Sequence, residues 1–574
     1  MADAKMKPGN WRLTEDGRVY RMGRKRYPNR DLYEGEFLDG VREGNGTLTY
    51  YQKGDVYVGE FQNNMFHGFG VYTWGDFLEN GEWVRGRRYE GSWSKGRRKG
   101  DGVYFSGYGD SYEGQWEADF YEGEGTLTKK NGDRMAGTFL RGKLAGEATI
   151  DYINGDKYSG AMRGGKRHGQ GDFIYSGNQG SYKGEWRHGK KHGRGSRLFS
   201  DGSRYEGDYK YDEPWGEGMM ETVSGDTYVG EWESGFPHGR GVLIFSHGDR
   251  YEGDFFQGNF HGRGRLTYAD GGYYDGEFAA HTRPGQYKHG VVFPKPDGQR
   301  HGQGVRVWVS GNRFEGGWIE GKMEGRGVYE NAATGGKYDG DFKNNTKHGH
   351  GIETWGNKLG IKFQDPLGWW HPGNGVCRYE GSYKDGYFHG EGQFIAVDNR
   401  SYHGFWVKGK RHGKGTATFI PENELGDSFR MNVGGNNALY RPYSYKGDWV
   451  DHKKHGVGTL MYLNGLEIEG DFVKGHPHGN CVLKYPKRKA DKHRLCRQGR
   501  WVRGTVVEWF DYSAEEEEVA SGVANFLLNT MMERKEEEEL EELGLWGEKK
   551  IPEFQEGGSL VGSSLTDGDP SYQF

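Results

Sequence analysis

The chain is poor in the features that cross-link proteins or anchor them in membranes. Its 574 residues include only three cysteines, Cys377, Cys481 and Cys496, and none has CxxC spacing. So few cysteines without a pairing framework indicate a reducing, cytoplasmic environment. No run approaches the ~18 consecutive apolar residues of a membrane span. The first ten residues, MADAKMKPGN, have no apolar stretch like that of a signal peptide.

Sequence motifs of catalysis and cofactor binding are also missing. No G-x-x-x-x-G-K-[ST] follows a βα pattern, and neither a kinase catalytic loop nor a G-x-S-x-G elbow occurs. Carboxylate pairs such as Glu252 and Asp254 recur throughout, which is typical of solvent-facing residues rather than of an acid/base pair. We therefore predict that the chain is not an enzyme and has no catalytic residues, no metal site and no cofactor.

Glycine and aromatic residues are abundant, and they recur with a fixed period. The chain has 104 Gly, 38 Tyr, 30 Phe and 18 Trp, whereas disordered chains are poor in aromatics. One phrase reads YKGEWRHGKKHGRG at 182–195, YVGEWESGFPHGRG at 228–241 and YEGDFFQGNFHGRG at 251–264. Most steps are 23 or 24 residues long, which predicts stacked units that complete one another's core.

Seventeen units are defined by the residue two places before the first glycine of each phrase. These openings are Tyr33, Tyr57, Tyr89, Tyr112, Met135, Tyr158, Tyr182, Tyr205, Tyr228, Tyr251, Tyr274, Phe314, Tyr338, Tyr379, Tyr402, Tyr445 and Ile468. A degenerate unit reads ENGEW at 79–83, and a truncated one reads RQGRW at 497–501. Three long steps predict surface loops near 280–300, 357–374 and 420–442.

Each unit has the pattern of an antiparallel β-hairpin. After Tyr251, glycine and an aromatic alternate with Glu252 and Asp254, so that aromatics share one face and carboxylates the other. We expect the central glycine to leave bare backbone on which a ring of the adjacent hairpin lies. The aromatic residues assigned to this core are Tyr33, Tyr57, Tyr89, Tyr112, Tyr158, Tyr182, Trp186, Tyr205, Tyr228, Trp232, Tyr251, Phe255, Tyr274, Phe314, Tyr338, Tyr379, Tyr402 and Tyr445.

The phrase Y-x-G-x-W/F-x-x-G-x-x-H-G-x-G, repeated over roughly 33–503, resembles the MORN repeat. The resemblance implies an all-β fold, an elongated, solenoid-like, twisted antiparallel sheet of about 17 stacked hairpins. Met135, Ile468 and the 79–83 unit depart from the phrase, so we expect local kinks there.

The array is predicted to span 33–503, after an N-terminal lead-in at 1–32. An acidic helical cap at 504–554 and a disordered tail at 555–574 are expected to follow. Within 514–543 an apolar stripe indicates an amphipathic helix, which either caps the last sheet edge or binds a partner. Its stripe consists of Val519, Val523, Phe526, Leu527 and Met531.

Basic pairs recur beside the predicted turns. Residues 1–510 hold 74 basic and 66 acidic residues, whereas 511–574 hold 17 acidic and four basic ones. The pairs are either solvated turn residues that keep a long sheet soluble or contacts with an acidic surface, such as anionic lipid or a microtubule. The candidate contact residues are Arg97, Arg98, Lys190, Lys191, Lys410, Arg411, Lys453, Lys454, Lys487 and Arg488.

Eleven of the 21 histidines occupy one position of the phrase, and we interpret them as rings that hydrogen-bond their own turn. One hairpin supplies one such histidine, and no nearby Cys or second His completes a ligand set. These residues are His67, His168, His192, His238, His261, His301, His348, His389, His412, His455 and His478.

The resemblance extends to MORN-rich radial-spoke and flagellar proteins, which implies a scaffold in a ciliary or flagellar axoneme or another cytoskeletal assembly. Its partners would be other axonemal or cytoskeletal proteins. The alternative is an adaptor that binds phosphoinositides at a membrane surface through the basic turns. Neither nucleic acid nor a small-molecule substrate is expected.

Overall fold

The computed structural model describes residues 11–79, 82–84, 86–279, 300–356, 360–364, 370–373, 376–419, 442–486 and 496–510. These residues form 42 strands joined by turns and loops, and none of them is in a helix. Two units are distinguished, Met1–Asn259 with Thr282–Pro294, and Phe260–His281 with Lys295–Phe574. The predicted helix at 514–543, its apolar stripe, and the tail at 555–574 lie outside the described residues.

The first unit contains strands β1 to β23. They are β1 (Trp11–Leu13), β2 (Val19–Arg26), β3 (Leu32–Leu38), β4 (Val41–Thr49), β5 (Val56–Gln62), β6 (Met65–Thr73), β7 (Phe77–Glu79), β8 (Glu82–Val84), β9 (Arg88–Ser94), β10 (Arg97–Phe105), β11 (Ser111–Glu117), β12 (Phe120–Thr128), β13 (Arg134–Leu140), β14 (Lys143–Asp151), β15 (Lys157–Arg163), β16 (Lys166–Ile174), β17 (Ser181–Arg187), β18 (Lys190–Leu198), β19 (Arg204–Lys210), β20 (Glu213–Glu221), β21 (Thr227–Glu233), β22 (Phe236–Ile244) and β23 (Arg250–Phe256).

Strands β24 to β42 follow, and the boundary between the units falls after the first residue of β24. They are β24 (Asn259–Thr267), β25 (Tyr273–Phe278), β26 (Arg300–Val307), β27 (Arg313–Ile319), β28 (Lys322–Glu330), β29 (Lys337–Lys343), β30 (Thr346–Gly356), β31 (Gly360–Gln364), β32 (Trp370–Gly373), β33 (Val376–Lys384), β34 (Tyr387–Ile395), β35 (Ser401–Val407), β36 (Lys410–Thr418), β37 (Pro442–Val450), β38 (Lys453–Tyr462), β39 (Glu467–Val473), β40 (His476–Lys484), β41 (Cys496–Val502) and β42 (Thr505–Trp509).

Within each unit, consecutive strands pair antiparallel in a register set by glycine. Gly35 on β3 lies opposite Gly46 on β4, and Gly46 lies in turn opposite Gly59 on β5. Each typical hairpin has a seven-residue first strand and a nine-residue second strand, with a register shift between them, as at Gly35/Phe37. The predicted all-β fold of stacked antiparallel hairpins is confirmed, because every predicted opening lies in the first strand of such a unit.

Two segments near the array differ from the sequence expectation. The ENGEW segment is not a member of the stack, because β7 and β8 pair with each other and β6 pairs directly with β9. The insertion at 357–374, expected to be a loop, contains the small antiparallel pair β31–β32. Both segments can leave the stack because the neighbouring strands still pair across them.

Both ends of the described chain carry an additional hairpin. The N-terminal lead-in forms the hairpin β1–β2, which pairs with β3 through Gly23 opposite Gly35. The truncated unit at 497–501 lies in β41, which pairs with both β40 and β42. These hairpins cover the backbone edges of β3 and β40.

Candidate binding surfaces

The aromatic residues of the phrase form a buried row in which rings of neighbouring repeats contact one another. Tyr228 lies edge-on to Trp232 of its own hairpin, with ring centroids 5.2 Å apart, and to Phe255 of the next hairpin at 4.9 Å. Edge-to-face pairs at this separation add to the stabilisation from burial. Each of the 18 aromatic residues assigned to the core is at most 3 % exposed.

Each opening tyrosine packs on a pair of glycines. The Tyr228 hydroxyl donates to the Glu231 carbonyl at 2.8 Å. A Cβ atom added at Gly241 would lie 2.5 Å from the Tyr228 ring. The ring therefore belongs to the same hairpin as the glycines, not to the adjacent hairpin that the sequence suggested. The contact with the adjacent hairpin is instead made by Trp232, on the same strand as Tyr228, whose Nε1 donates to the Gly218 carbonyl of the preceding hairpin at 3.1 Å.

Two repeats lack both the opening ring and the second glycine. Met135 opens a hairpin in which Ala148 faces Gly137, and Ile468 opens one in which Cys481 faces Gly470. A methyl or thiol group there occupies the space over which the tyrosine ring lies elsewhere. In each of these repeats, the loss of the opening ring and the loss of the second glycine are therefore two parts of the same change in packing.

Cations lie over the aromatic row at the second residue of the second strand. We call these residues the row cations: Arg42, Arg98, Arg167, Lys191, Lys347, Arg411 and Lys454. The Arg98 guanidinium carbon is 4.2 Å from the Trp116 ring centroid. Its Nη2 donates to the Asp119 carbonyl at 3.0 Å, and its backbone N–H donates to Asp119 Oδ1 at 3.0 Å. A row cation therefore links its own hairpin to the next one through a cation–π contact and hydrogen bonds.

The basic pairs predicted from the sequence are divided between two faces. Arg98, Lys191, Arg411 and Lys454 are row cations and are only partly exposed. Arg97, Lys190, Lys410 and Lys453 precede them on the same strands and are exposed. Period-two alternation along the strand produces this division. The structure therefore does not bring both members of a pair to one basic surface, and Lys487 and Arg488 lie outside the described residues.

Burial changes the titration of the row cation Lys191. Lys191 lies over the rings of Tyr175, Tyr182 and Tyr209. Removal from water lowers the pKa of Lys191 to about 8, and the nearby Arg197 charge acts in the same direction. The Lys191 side chain therefore contributes more to packing against the aromatic row than to the charge of the solvent-facing surface.

A second series of links joins the turns between hairpins. Asp110 Oδ1 accepts the Lys130 N–H at 2.9 Å, and Asp156 Oδ1 accepts the Ser176 N–H at 2.8 Å. The Ser176 amide lowers the pKa of Asp156 because it stabilises the carboxylate. These Asp residues thus have a structural role in holding successive turns together.

The turn histidines do not share one interaction. His238 Nε2 lies 3.2 Å from Glu233 Oε2 in its own turn, as the sequence suggests. His168 Nδ1, in contrast, is buried and has no hydrogen-bond partner among the residues that the structure describes. In the part of the chain that the structure describes, no three His, Cys, Asp or Glu residues are grouped as metal ligands would be.

The second unit contains a buried polar cluster that the sequence pattern did not reveal. The row cation Lys347 pairs with Glu353, which also accepts the Tyr383 hydroxyl at 2.9 Å. Desolvation lowers the pKa of Lys347, while the Glu353 charge opposes that change. The cluster connects β30 to β33, two strands that pair with each other although the 357–374 insertion separates them in the sequence.

The Met135 repeat opens a pocket in the first unit. Its volume is about 440 Å³, within the range of ligand-binding clefts. Its apolar lining consists of Leu127, Met135, Phe139, Leu144, Ile150 and Met162. Lys143, Lys166, Arg167 and His188 also line it. The sequence signal for this site is the loss of the opening tyrosine, which we interpreted only as a local kink.

No described segment forms a helix of the length and apolarity needed to cross a membrane.

A family model described as "MORN repeat" matches most of the array. The matched residues are 33–54, 57–77, 89–109, 112–134, 158–179, 182–204, 205–227, 228–250, 251–273, 297–313, 314–332, 338–359, 379–399, 402–421, 445–467 and 469–488. The repeat opened by Met135 is passed over, since one match ends at 134 and the next begins at 158. No curated protein matches the chain.

Two solved structures show only weak likeness. The SAS-4 (dCPAP) TCP domain in complex with a proline-rich motif of Ana2 (dSTIL) of Drosophila melanogaster is 10% identical, with a TM-score of 0.18 over 26% of this chain and 81% of that chain. A streptogramin B lyase structure is 11% identical, with a TM-score of 0.10 over 50% of this chain and 88% of that chain. TM-scores this low support no argument about fold or function.

Proposed function

The chain belongs to the MORN-repeat family, a non-catalytic type of repeat, and we propose that it acts as a non-enzymatic structural scaffold in a ciliary or flagellar axoneme or another cytoskeletal assembly. Its partners are then axonemal or cytoskeletal proteins that contact the repeats. This proposal places the protein in the cytoplasm, attached to the cytoskeleton.

The observation that supports the proposal is that each hairpin uses one set of side chains to contact the neighbouring repeats and leaves another set exposed. Aromatic rings and row cations link one repeat to the next, as Arg98 does with Trp116 and Asp119. The intervening side chains of the same strands remain exposed, such as Glu113 between Tyr112 and Gly114. The fold thereby presents regularly spaced side chains on a fixed backbone, which suits contacts with several proteins at once.

Detergent extraction of the native cell tests the scaffold proposal. The chain, tagged at its own locus, is expected to stay in the detergent-insoluble cytoskeletal fraction and to localise along the axoneme in ciliated cells. Complete release together with membrane markers would contradict the proposal.

The second candidate function is a phosphoinositide adaptor at a membrane surface. Exposure of Arg97, Lys190, Lys410 and Lys453 favours it, because these side chains are accessible to lipid phosphates. Each basic residue engaged with an anionic membrane contributes roughly 1 kcal/mol. We expect the full chain to bind phosphoinositide-containing liposomes weakly. Strong, salt-sensitive binding that is lost when these four residues are changed to Gln would favour the adaptor.

A further inference from the structure

The pocket beside Met135, here called the Met135 pocket, is an interruption of the aromatic row. Tyrosine at the equivalent openings is almost fully buried, whereas Met135 is only partly buried. In the next repeat, Met162 takes the place that Trp186 takes one repeat later. Leu144 stands where Arg167 stands as a row cation. Aliphatic side chains at these three positions leave an open apolar space where other repeats have rings and a cation.

Three consecutive hairpin turns of the first unit, at 140–143, 163–166 and 187–190, meet at this pocket. Each of them contributes two residues to its lining. The three turns contain no Asp or Glu, whereas the turns on either side, at 117–120 and 210–213, together contain four. We call the three turns the basic turns. Successive turns at this edge are two strands apart, which places them about 10 Å from one another.

The basic turns carry six exposed Lys and Arg side chains. None of the six forms an ion pair within the part of the chain that the structure describes, in contrast to Lys129, which pairs with Asp110 in the same unit. Unpaired positive charge around an apolar pocket favours a ligand that is apolar at its centre and negatively charged on both sides. The six residues are Arg141, Lys143, Arg163, Lys166, Arg187 and Lys190.

We propose that the Met135 pocket and the basic turns form a docking site for an acidic peptide segment of a protein partner. One large apolar side chain of the segment fills the pocket, where Met135 and Met162 adapt to its shape. Carboxylates on either side of this anchor face Lys143, Lys166 and the other cations of the basic turns. In an extended segment that rises about 3.3 Å per residue, carboxylates at every third position match the spacing of the turns.

The depth of the pocket favours a protein segment over a membrane. The apolar residues that line it are all buried or half-buried. A projecting side chain reaches them, whereas a flat lipid surface that rests on the turns does not.

The docking site rests on the proposed scaffold function, because its ligand is a segment of a scaffold partner. It holds one partner at one place on the array, whereas attachment to the cytoskeleton involves many repeats. Loss of this site should therefore leave retention after detergent extraction intact. The docking site and the scaffold proposal can thus fail separately.

Binding of a synthetic peptide to the purified full chain tests the docking site. The probe is a fluorescent peptide of Glu-Leu-Ser repeats, in which every third residue is a carboxylate and leucine is the anchor. We expect saturable binding by fluorescence anisotropy, with an affinity about tenfold higher than that of a matched peptide of Glu-Ser-Ser repeats. Equal binding of the two peptides, or binding of neither, would overturn the proposal.

A ring-restoring variant tests whether the pocket itself is needed. Met135→Tyr with Ala148→Gly recreates the arrangement of the other repeats, so that the ring occupies the pocket. Its affinity for the Glu-Leu-Ser peptide should fall about tenfold, to that of the Glu-Ser-Ser peptide. The matched control, Ile468→Tyr with Cys481→Gly, restores the same pair in another repeat and should bind as the wild type does. An unchanged affinity in the first variant would contradict the role of the pocket.

A second pair of variants tests the charges and leaves the apolar lining unaltered. Lys143→Gln with Lys166→Gln should weaken binding of the Glu-Leu-Ser peptide about fivefold. The control with equal charge loss is Lys95→Gln with Arg97→Gln, on an exposed turn of the same unit outside the pocket, and it should leave binding unchanged. Equal losses in both variants would indicate non-specific attraction. Tighter binding to phosphatidylserine liposomes that the ring-restoring variant abolishes would assign the pocket to lipid, and either result would overturn the proposal.

Discussion

At the scale of single residues, the tyrosine and its two glycines act as one packing group. The Tyr228 ring lies where a Cβ at Gly241 would be, and the repeats opened by Met135 and Ile468 have lost ring and glycine together. A side chain at the second glycine is therefore compatible with an aliphatic opening residue and incompatible with a ring. Sequence alone identified the glycine positions, but not which hairpin supplies the ring, because both arrangements have the same spacing.

We predict strong coupling between Tyr228 and Gly241 in a double-mutant cycle. Gly241→Ala alone should cost roughly 1–3 kcal/mol by overpacking, and Tyr228→Met alone should leave an underfilled core. The double variant should cost at least ~0.5 kcal/mol less than the sum, because it recreates the pair Met135 and Ala148. Hydrogen exchange of β20 to β23 amides measures each cost, and strict additivity would contradict the shared packing.

We predict that His452 makes the contact between its neighbouring repeats sensitive to acid. Burial, and then the Arg411 and Lys410 charges, lower the pKa of His452 from 6.5 to about 4. Its Nδ1 accepts the Arg411 N–H at 3.4 Å, which requires the neutral ring. A lowered histidine pKa favours the neutral folded form, so this stabilisation is full above pH 6.5 and is lost as the pH falls toward about 4.

The control for this pH effect is His452→Asn, because Asn64 and Asn345 accept the same bond in other repeats. Thermal unfolding should show a smaller loss of stability between pH 6.5 and pH 4 in this variant than in the wild type. Equal losses would show that His452 does not contribute.

At the scale of the hairpin, the position of a basic residue on the second strand decides whether its side chain packs on the aromatic row or faces solvent. Arg97 and Arg98 are chemically alike but face opposite sides of β10. The sequence predicted the hairpin and its period of two, yet the basic pairs were treated as single patches. Applying the strand period to those pairs would have separated them. The 79–83 segment was predicted to be a degenerate repeat because it matches part of the phrase. That prediction was wrong, since its strands β7 and β8 pair with each other while β6 pairs directly with β9.

We predict unequal effects of two matched substitutions in this hairpin. Arg98→Gln should destabilise β9 to β12 by about 1–3 kcal/mol, because it removes the bonds to Asp119 and the contact with Trp116. Arg97→Gln should stay within about 0.5 kcal/mol of the wild type, since its side chain is exposed. Local hydrogen exchange measures both, and equal effects would contradict the division of the basic pair.

At the scale of the whole molecule, repetition of one hairpin accounts for most of what the sequence could predict. The 17 openings could be located because each carries the same phrase. The hairpin β1–β2 could not, because the segment before Tyr33 lacks the opening aromatic and joins the sheet through backbone pairing at Gly23. The pocket beside Met135 could not be predicted from the sequence either, since it results from the absence of rings in adjacent repeats rather than from any motif.

We predict that the exposed basic residues are dispensable for scaffold attachment, whereas the row cations maintain the surface that partners contact. The measurement is cytoskeletal retention after detergent extraction for two full-length variants with equal charge loss. We predict that changing Arg97, Lys190, Lys410 and Lys453 to Gln preserves retention, and that changing Arg98, Lys191, Arg411 and Lys454 to Gln reduces it. Loss of retention in the first variant with full retention in the second would contradict this prediction.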